Sequence, residues 1–211
     1  MHKSIYSVLL SDGLVARLDD IAYKKGVSRS AMLDRVLAEY LAEETVEMKM
    51  NNVFESVERM IDGYAGLRFN NQASDYMASV QSALAYRYNP TVKYSIELFP
   101  AGDLGQLKIS LRTKSEVLLG IMERFYSFFI SLEKKYIGER AYAYDGNRFV
   151  RAFVRPDGLS ARKAGESIAE YVADFDKYLR IYFSSLDNER AACKAVEKEY
   201  AGNIVKKEVI L

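Results

Sequence analysis

The feature that most constrains this chain is its opening stretch, residues 3–44, where one alternating apolar segment runs into two short amphipathic helices. Ile5–Leu10 reads as a strand. Tyr6, Val8 and Leu10 share one face and Ile5, Ser7 and Leu9 the other, because successive strand side chains point to opposite sides. Ser11 stands where it caps a helix whose apolar residues Leu14, Leu18, Ile21 and Ala22 recur at helical spacing. Gly26 falls where a helix end calls for a left-handed residue. Ser28 then caps a second helix with Met32, Leu33, Val36, Leu37, Tyr40 and Leu41 on one face. A lone strand leaves both edges unpaired, and two short helices bury too little apolar surface to fold unaided. A second copy meets both needs: two strands pair antiparallel into a ribbon, and four helices share a core that receives Tyr6, Val8 and Leu10. The expectation is an obligate two-fold homodimer.

Residues 12–41, DGLVARLDDIAYKKGVSRSAMLDRVLAEYL, resemble the ribbon-helix-helix family of bacterial DNA-binding proteins (MetJ, Arc and CopG type). The most specific parts are the alternating strand entering Ser11-Asp12, the spacing of Leu18, Ile21 and Ala22, and the junction Gly26-Val27-Ser28-Arg29-Ser30. The resemblance covers roughly the first fifth of the chain. It implies a ribbon in the major groove of double-stranded DNA, with alternate outward strand residues on base edges. It also implies a phosphate held at the amino end of the second helix. Carried onto this sequence, the base-facing set is Ile5, Ser7 and Leu9 with Lys3 just outside the strand, and the phosphate clamp is Ser28, Arg29 and Ser30. Two departures stand out. Ile5 and Leu9 offer no hydrogen bond to a base, and the six cations of residues 3–44 meet seven carboxylates. A dimer whose ribbon only dimerises it, without binding DNA, is therefore the alternative. Binding by several dimers side by side is the further expectation where each binds weakly.

The rest of the 211 residues have room for one further domain, so the chain divides as 1–45, a dimerisation and DNA-binding unit, and 46–211. Apolar residues make up 49% of the chain, enough for a substantial core. The net charge of +1 argues against a chain devoted to coating nucleic acid or anionic membrane. A single cysteine, Cys193, rules out an intramolecular disulfide and points to a reducing compartment. No basic patch precedes an apolar leader and no run approaches the length of a membrane span, so a soluble cytoplasmic protein is expected.

Beyond the junction at 42–50, Val46, Met50, Val53, Phe54, Val57, Met60, Ile61 and Tyr64 form a helical stripe. Asn70-Asn71 reads as a loop. Tyr76, Met77, Val80, Leu84 and Tyr88 read as a further helix ending at Asn89-Pro90. The period then becomes two: Val92, Tyr94, Ile96 and Leu98, a turn at Pro100–Asp103, then Leu107, Ile109 and Leu111, which make a hairpin with one wet face. Thr113 or Ser115 caps a helix carrying Leu118, Ile121, Met122, Phe125, Phe129, Leu132 and Tyr136 and ending near Gly138. A second hairpin spans Arg140–Tyr144 and Arg148–Arg155, turning at Asp145-Gly146-Asn147. A long helix follows through Ile168, Val172, Phe175, Leu179 and Leu186. A last helix covers Glu189–Tyr200, and Ile204–Leu211 is read as a terminal strand. The expected second domain is α+β, a four-stranded antiparallel sheet with helices on one face.

Catalytic chemistry is sparse. One histidine, His2, and one cysteine exclude a nucleophile–histidine triad and the usual zinc sites within a chain. The glycines lack the pattern of a phosphate-binding loop. The chain is read as a non-enzyme with no catalytic residues, no metal and no cofactor. Cys193 lies among Ala191, Ala192, Ala195 and Val196 and reads as a structural thiol. On the second hairpin, Tyr142, Tyr144, Phe149 and Phe153 alternate among Arg140, Arg148, Arg151 and Arg155. They form either an aromatic and arginine surface for an anionic partner or, as the favoured reading, aromatics packed under helices with arginines on a wet face. The functional expectation is a sequence-specific DNA-binding dimer, a transcriptional repressor or a plasmid partition or relaxosome factor. Its second domain senses a small ligand, oligomerises dimers or contacts another protein.

Overall fold

The computed structural model describes residues 5–41, 45–144 and 148–211. The chain divides into two compact units, Met1–Lys49 and Met50–Leu211, and its fold is α+β.

In the first unit, helix α1 (Asp12–Lys25) and helix α2 (Arg29–Tyr40) form where the capping residues put them. Gly26, at φ 65°, reverses the chain and donates its N–H to the carbonyls of Ala22 and Tyr23. The Ser28 hydroxyl accepts from the Ala31 amide at 3.2 Å. Ser11 starts α1 in extended conformation, but its side chain makes no capping bond. The expected strand at residues 5–10 is absent: these residues carry no secondary structure and no ribbon precedes the helices. The physical reason is the one that made the strand unusual. An isolated strand is held only by hydrogen bonds to a neighbour, and no strand of the sheet pairs with these residues.

Helix α3 (Val46–Ile61) leads into the second unit, and the stripe read from the sequence is its buried side: Met50, Val53, Phe54, Val57 and Ile61. There follow β1 (Leu67–Ser74), β2 (Met77–Ala83), β3 (Thr91–Leu98), β4 (Gly105–Leu111), α4 (Glu116–Ile137), β5 (Tyr142–Tyr144), β6 (Arg148–Phe153), α5 (Ala161–Phe183) and α6 (Glu189–Ile204). The strands build one antiparallel sheet of six in the order β1-β2-β3-β4-β6-β5, where four were expected. The added pair, β1 and β2, occupies the segment read as a loop and a helix. Asn71 sits at a register irregularity within β1. The tail after Ile204 contains turns and no strand, and α6 runs four residues beyond its expected end. The turn expected at Asp145-Gly146-Asn147 lies outside the described residues.

Alternation along the strands separates two faces. Val80, Tyr94, Ile96, Leu107, Ile109, Phe149 and Phe153 are buried, and they meet the apolar sides of the helices through an aromatic cluster. Phe175 of α5 lies at its centre, 4.8 Å from Phe129, 5.5 Å from Phe125 and 6.0 Å from Phe149 between ring centroids. Helices α3 and α5 approach closely because Gly165 has no side chain. A Cβ there would stand 2.3 Å from the Val53 carbonyl oxygen and 2.5 Å from the Ser56 Cβ. The opposite sheet face, with Lys93, Ser95, Glu97, Lys108 and Ser110, is polar and at least partly exposed.

Candidate functional site

The residues that the resemblance names for DNA divide into two groups. Ser28, Arg29 and Ser30 come together at the amino end of α2. There Arg29 turns back to α1 and donates from Nε and Nη2 to the two Asp19 carboxylate oxygens, at 2.6 and 2.5 Å. This two-pronged bond holds the Asp19 carboxyl below its ordinary value and raises the Arg29 guanidinium. It braces the two helices against each other, and an incoming phosphate would have to share or replace Asp19 as the partner of Arg29. The second group, Ile5, Ser7 and Leu9, is exposed in irregular backbone, with Ile5 and Leu9 fully so. Lys3 lies outside the described residues. Tyr6, Val8 and Leu10, expected in a core, are exposed as well.

The helices repeat this pattern. Only Ala22, Met32 and Ala38 of α1 and α2 are buried, while Leu14, Ile21, Val36, Leu37 and Tyr40 are exposed. Apolar residues at helical spacing are thus laid out as an interior without being enclosed as one.

The second unit holds its unusual chemistry inside. Arg151 of β6 and Glu133 of α4 are 1% and 0% exposed and form an ion pair at 3.3 Å. Glu133 also accepts from the hydroxyls of Tyr142 at 2.6 Å and Tyr171 at 3.2 Å. The Arg151 guanidinium lies 4.9 Å from the centre of the Tyr171 ring and 5.4 Å from that of Phe153. Burial and the adjacent Glu133 push the Tyr142 phenol up. A cavity of about 40 Å³ adjoins this cluster, room for a water or two. Asp176 of α5 makes a second tie: it accepts from Ser82 of β2, from Tyr94 of β3 at 2.8 Å and from Arg180 at 2.7 Å.

The second hairpin follows the favoured reading for Phe149 and Phe153, which are buried under the helices, while Tyr142 and Tyr144 are half-buried. The arginines do not share one surface. Arg151 is interior, Arg155 donates to the carbonyls of Phe99 and Gly102 at 2.9 and 3.2 Å, and Arg140 donates to that of Leu211 at 3.3 Å. Cys193 is partly buried, and burial together with Glu189 raises its thiol, which makes it a poor nucleophile. Among the described residues no group of three His, Cys, Asp or Glu could hold a metal, and no helix is long and apolar enough to cross a membrane.

Glu133 and Asp176 were not singled out from the sequence, yet each left a signal. Glu133 follows Phe129 by four residues and Asp176 follows Val172 by four, so both carboxylates occupy apolar stripes. Comparison with family models, with characterised proteins and with solved structures finds no match to this chain.

Proposed function

We propose that this chain is a ribbon-helix-helix DNA-binding protein that acts as a homodimer, residues 5–10 of two copies pairing into a ribbon that neither forms alone. The observation that carries it is the exposed apolar set of the first unit. Tyr6, Val8 and Leu10, at alternate positions of the sequence, are exposed, and so are Leu14, Ile21, Val36, Leu37 and Tyr40. A second copy brings the missing strand edge and the missing half of the core in one operation. In the dimer Ser7, flanked by Ile5 and Leu9 and with Lys3 just outside, faces the major groove, and Ser28, Arg29 and Ser30 meet the phosphates. Repression of transcription and plasmid partition or relaxosome assembly are the roles such a dimer serves. The second domain then supplies contacts to a small ligand, another protein or further dimers.

A specific observation favours the alternative of a dimerisation device without DNA affinity: Arg29 is already bonded to Asp19, and Ile5 and Leu9 are apolar. Sedimentation and gel shift on DNA from upstream of the protein's own gene separate the two. A dimer lost in Leu10→Asp, with specific retention weakened in Arg29→Ala, supports DNA binding. A dimer without retention at low salt supports the scaffold, and a monomer at micromolar concentration removes both.

A further inference from the structure

The polar face of the sheet distributes charge unevenly. Register places Arg68 of β1 opposite Gln81, Gln81 opposite Lys93, Lys93 opposite Ser110 and Ser110 opposite Arg148. One row of side chains thus crosses five strands on the face turned away from the helices. In the next row toward the sheet end, Arg112 adjoins Thr91 through its backbone amide, on the same face. Arg68, Lys93, Arg112 and Arg148 are all exposed. Among the described residues of these strands the one carboxylate on this face, Glu97, lies at the other end of β3 and is bonded to Lys108 at 2.6 Å and to Gln106 at 2.6 Å. Four residues separate Lys93 from Glu97, about 13 Å along a strand. Negative charge is therefore neutralised at one end, while Arg68, Lys93 and Arg112 make no ion pair with any described residue. In a chain of net charge +1 this is segregation rather than a general excess of cations.

The loop between β2 and β3 closes the same end. It adds Arg87, which is exposed, and holds Tyr88 and Asn89 at φ 65° and 43°. Left-handed backbone is unfavourable at a bulky residue, and Tyr88 is fully exposed, so burial of its ring does not offset it. Arginine, lysine and tyrosine are side chains that contact phosphate oxygens.

We propose that this basic end of the open sheet face is a second nucleic-acid contact, one that binds the phosphate backbone of duplex DNA without reading its sequence. The row from Arg68 to Arg148 crosses four strand intervals, about 19 Å, the axial length of five to six base pairs of duplex at about 3.4 Å each. The contact belongs to the second unit and stands whether or not the first unit reads bases.

The test uses the full chain and a labelled mixed-sequence duplex of about 30 base pairs, with affinity measured by anisotropy across a salt series. The variant is Arg68→Gln, Lys93→Gln and Arg112→Gln together, its folding checked by circular dichroism. The expected result is a log–log salt slope shallower by about 2 to 3 and weakening of about tenfold or more at low salt, since each released phosphate contact contributes about 0.9 to the slope. An unchanged slope overturns the proposal, as does failure of the parent chain to bind the duplex at about 50 mM salt. Capture by anionic phospholipid vesicles but not by duplex overturns it too. Arg29→Ala tells the two sites apart. Where it leaves upstream-DNA binding unchanged while the triple variant loses the mixed duplex, the base-reading unit fails and the sheet contact stands.

Discussion

Raising the pH above 10 should unfold the second unit in a single cooperative step, because its tyrosines hold protons that the unfolded chain releases. Tyr94, Tyr126, Tyr178, Tyr182 and Tyr200 are each under 5% exposed, and burial raises every one of their phenols above the ordinary value. A raised phenol leaves stability intact below the unfolded value near 10 and drains it as pH climbs further. Each buried tyrosine then weakens the fold by about 1.4 kcal/mol at pH 11 and about 2.7 at pH 12. Five together remove at most roughly 7 kcal/mol at pH 11 and roughly 13 at pH 12, against a usual domain stability of about 5 to 15. The transition is therefore expected between about pH 11 and 12. The chain contains no tryptophan, so phenolate absorbance near 295 nm reads the tyrosines cleanly. Absorbance from the five buried phenols should rise together with loss of far-ultraviolet circular dichroism. A native spectrum persisting at pH 12 with those phenols ionised would refute the assignment of burial as the cause.

Two further predictions probe the packing. Arg151→Met and Glu133→Gln each strand a buried charge, and each should cost about 3 to 5 kcal/mol in urea unfolding. The pair Arg151→Met with Glu133→Gln should fall short of the sum of its single changes by at least about 2 kcal/mol, and strict additivity would mean the two charges do not depend on each other. Gly165→Ala should lower stability by about 1 to 3 kcal/mol through overpacking against Val53 and Ser56, despite the better helix propensity of alanine. A higher melting temperature in that variant would show that α3 and α5 have slack between them.

Sequence periodicity locates α4, α5 and the β3–β4 hairpin because their buried residues are large and regularly spaced. Val92, Tyr94, Ile96 and Leu98 are all interior, as are Phe125, Phe129, Phe175 and Leu179. The β1–β2 hairpin escapes the same logic for a definite reason. Tyr76, Val80 and Leu84 are four apart, a spacing that satisfies a helix and a strand alike. The inward positions between them are Ala78 and Ser82, too small or too polar to mark the alternation, although both are buried. Ser82 is inward because Asp176 accepts its hydroxyl proton, a pairing between residues 94 positions apart that no local window contains. The Arg151–Glu133 pair is hidden in the same way: alternation places Arg151 with the aromatics, but only the partner on α4 explains how a guanidinium remains there. At the amino end the limitation runs the other way. The capping residues mark α1 and α2, whereas the alternation of residues 5–10 forms no strand in the chain.

The two units differ in what they leave uncovered, and that difference says where the proposed dimer would act. In the second unit every described buried side-chain nitrogen and oxygen has a partner. Each buried carboxylate is matched by its own cation, Glu133 by Arg151 and Asp176 by Arg180, and by tyrosine hydroxyls from neighbouring elements. Such a core needs no further component to satisfy its polar groups. The first unit is satisfied in its caps and in the Asp19–Arg29 fork but leaves most of its apolar side chains in water. Association that covers those side chains stabilises the first unit by mass action and adds nothing to the interior of the second. If DNA is read through a ribbon, base recognition is then tied to protein concentration through dimer formation. The phosphate contacts proposed for the sheet face would need no second copy, since Arg68, Lys93 and Arg112 lie on one chain.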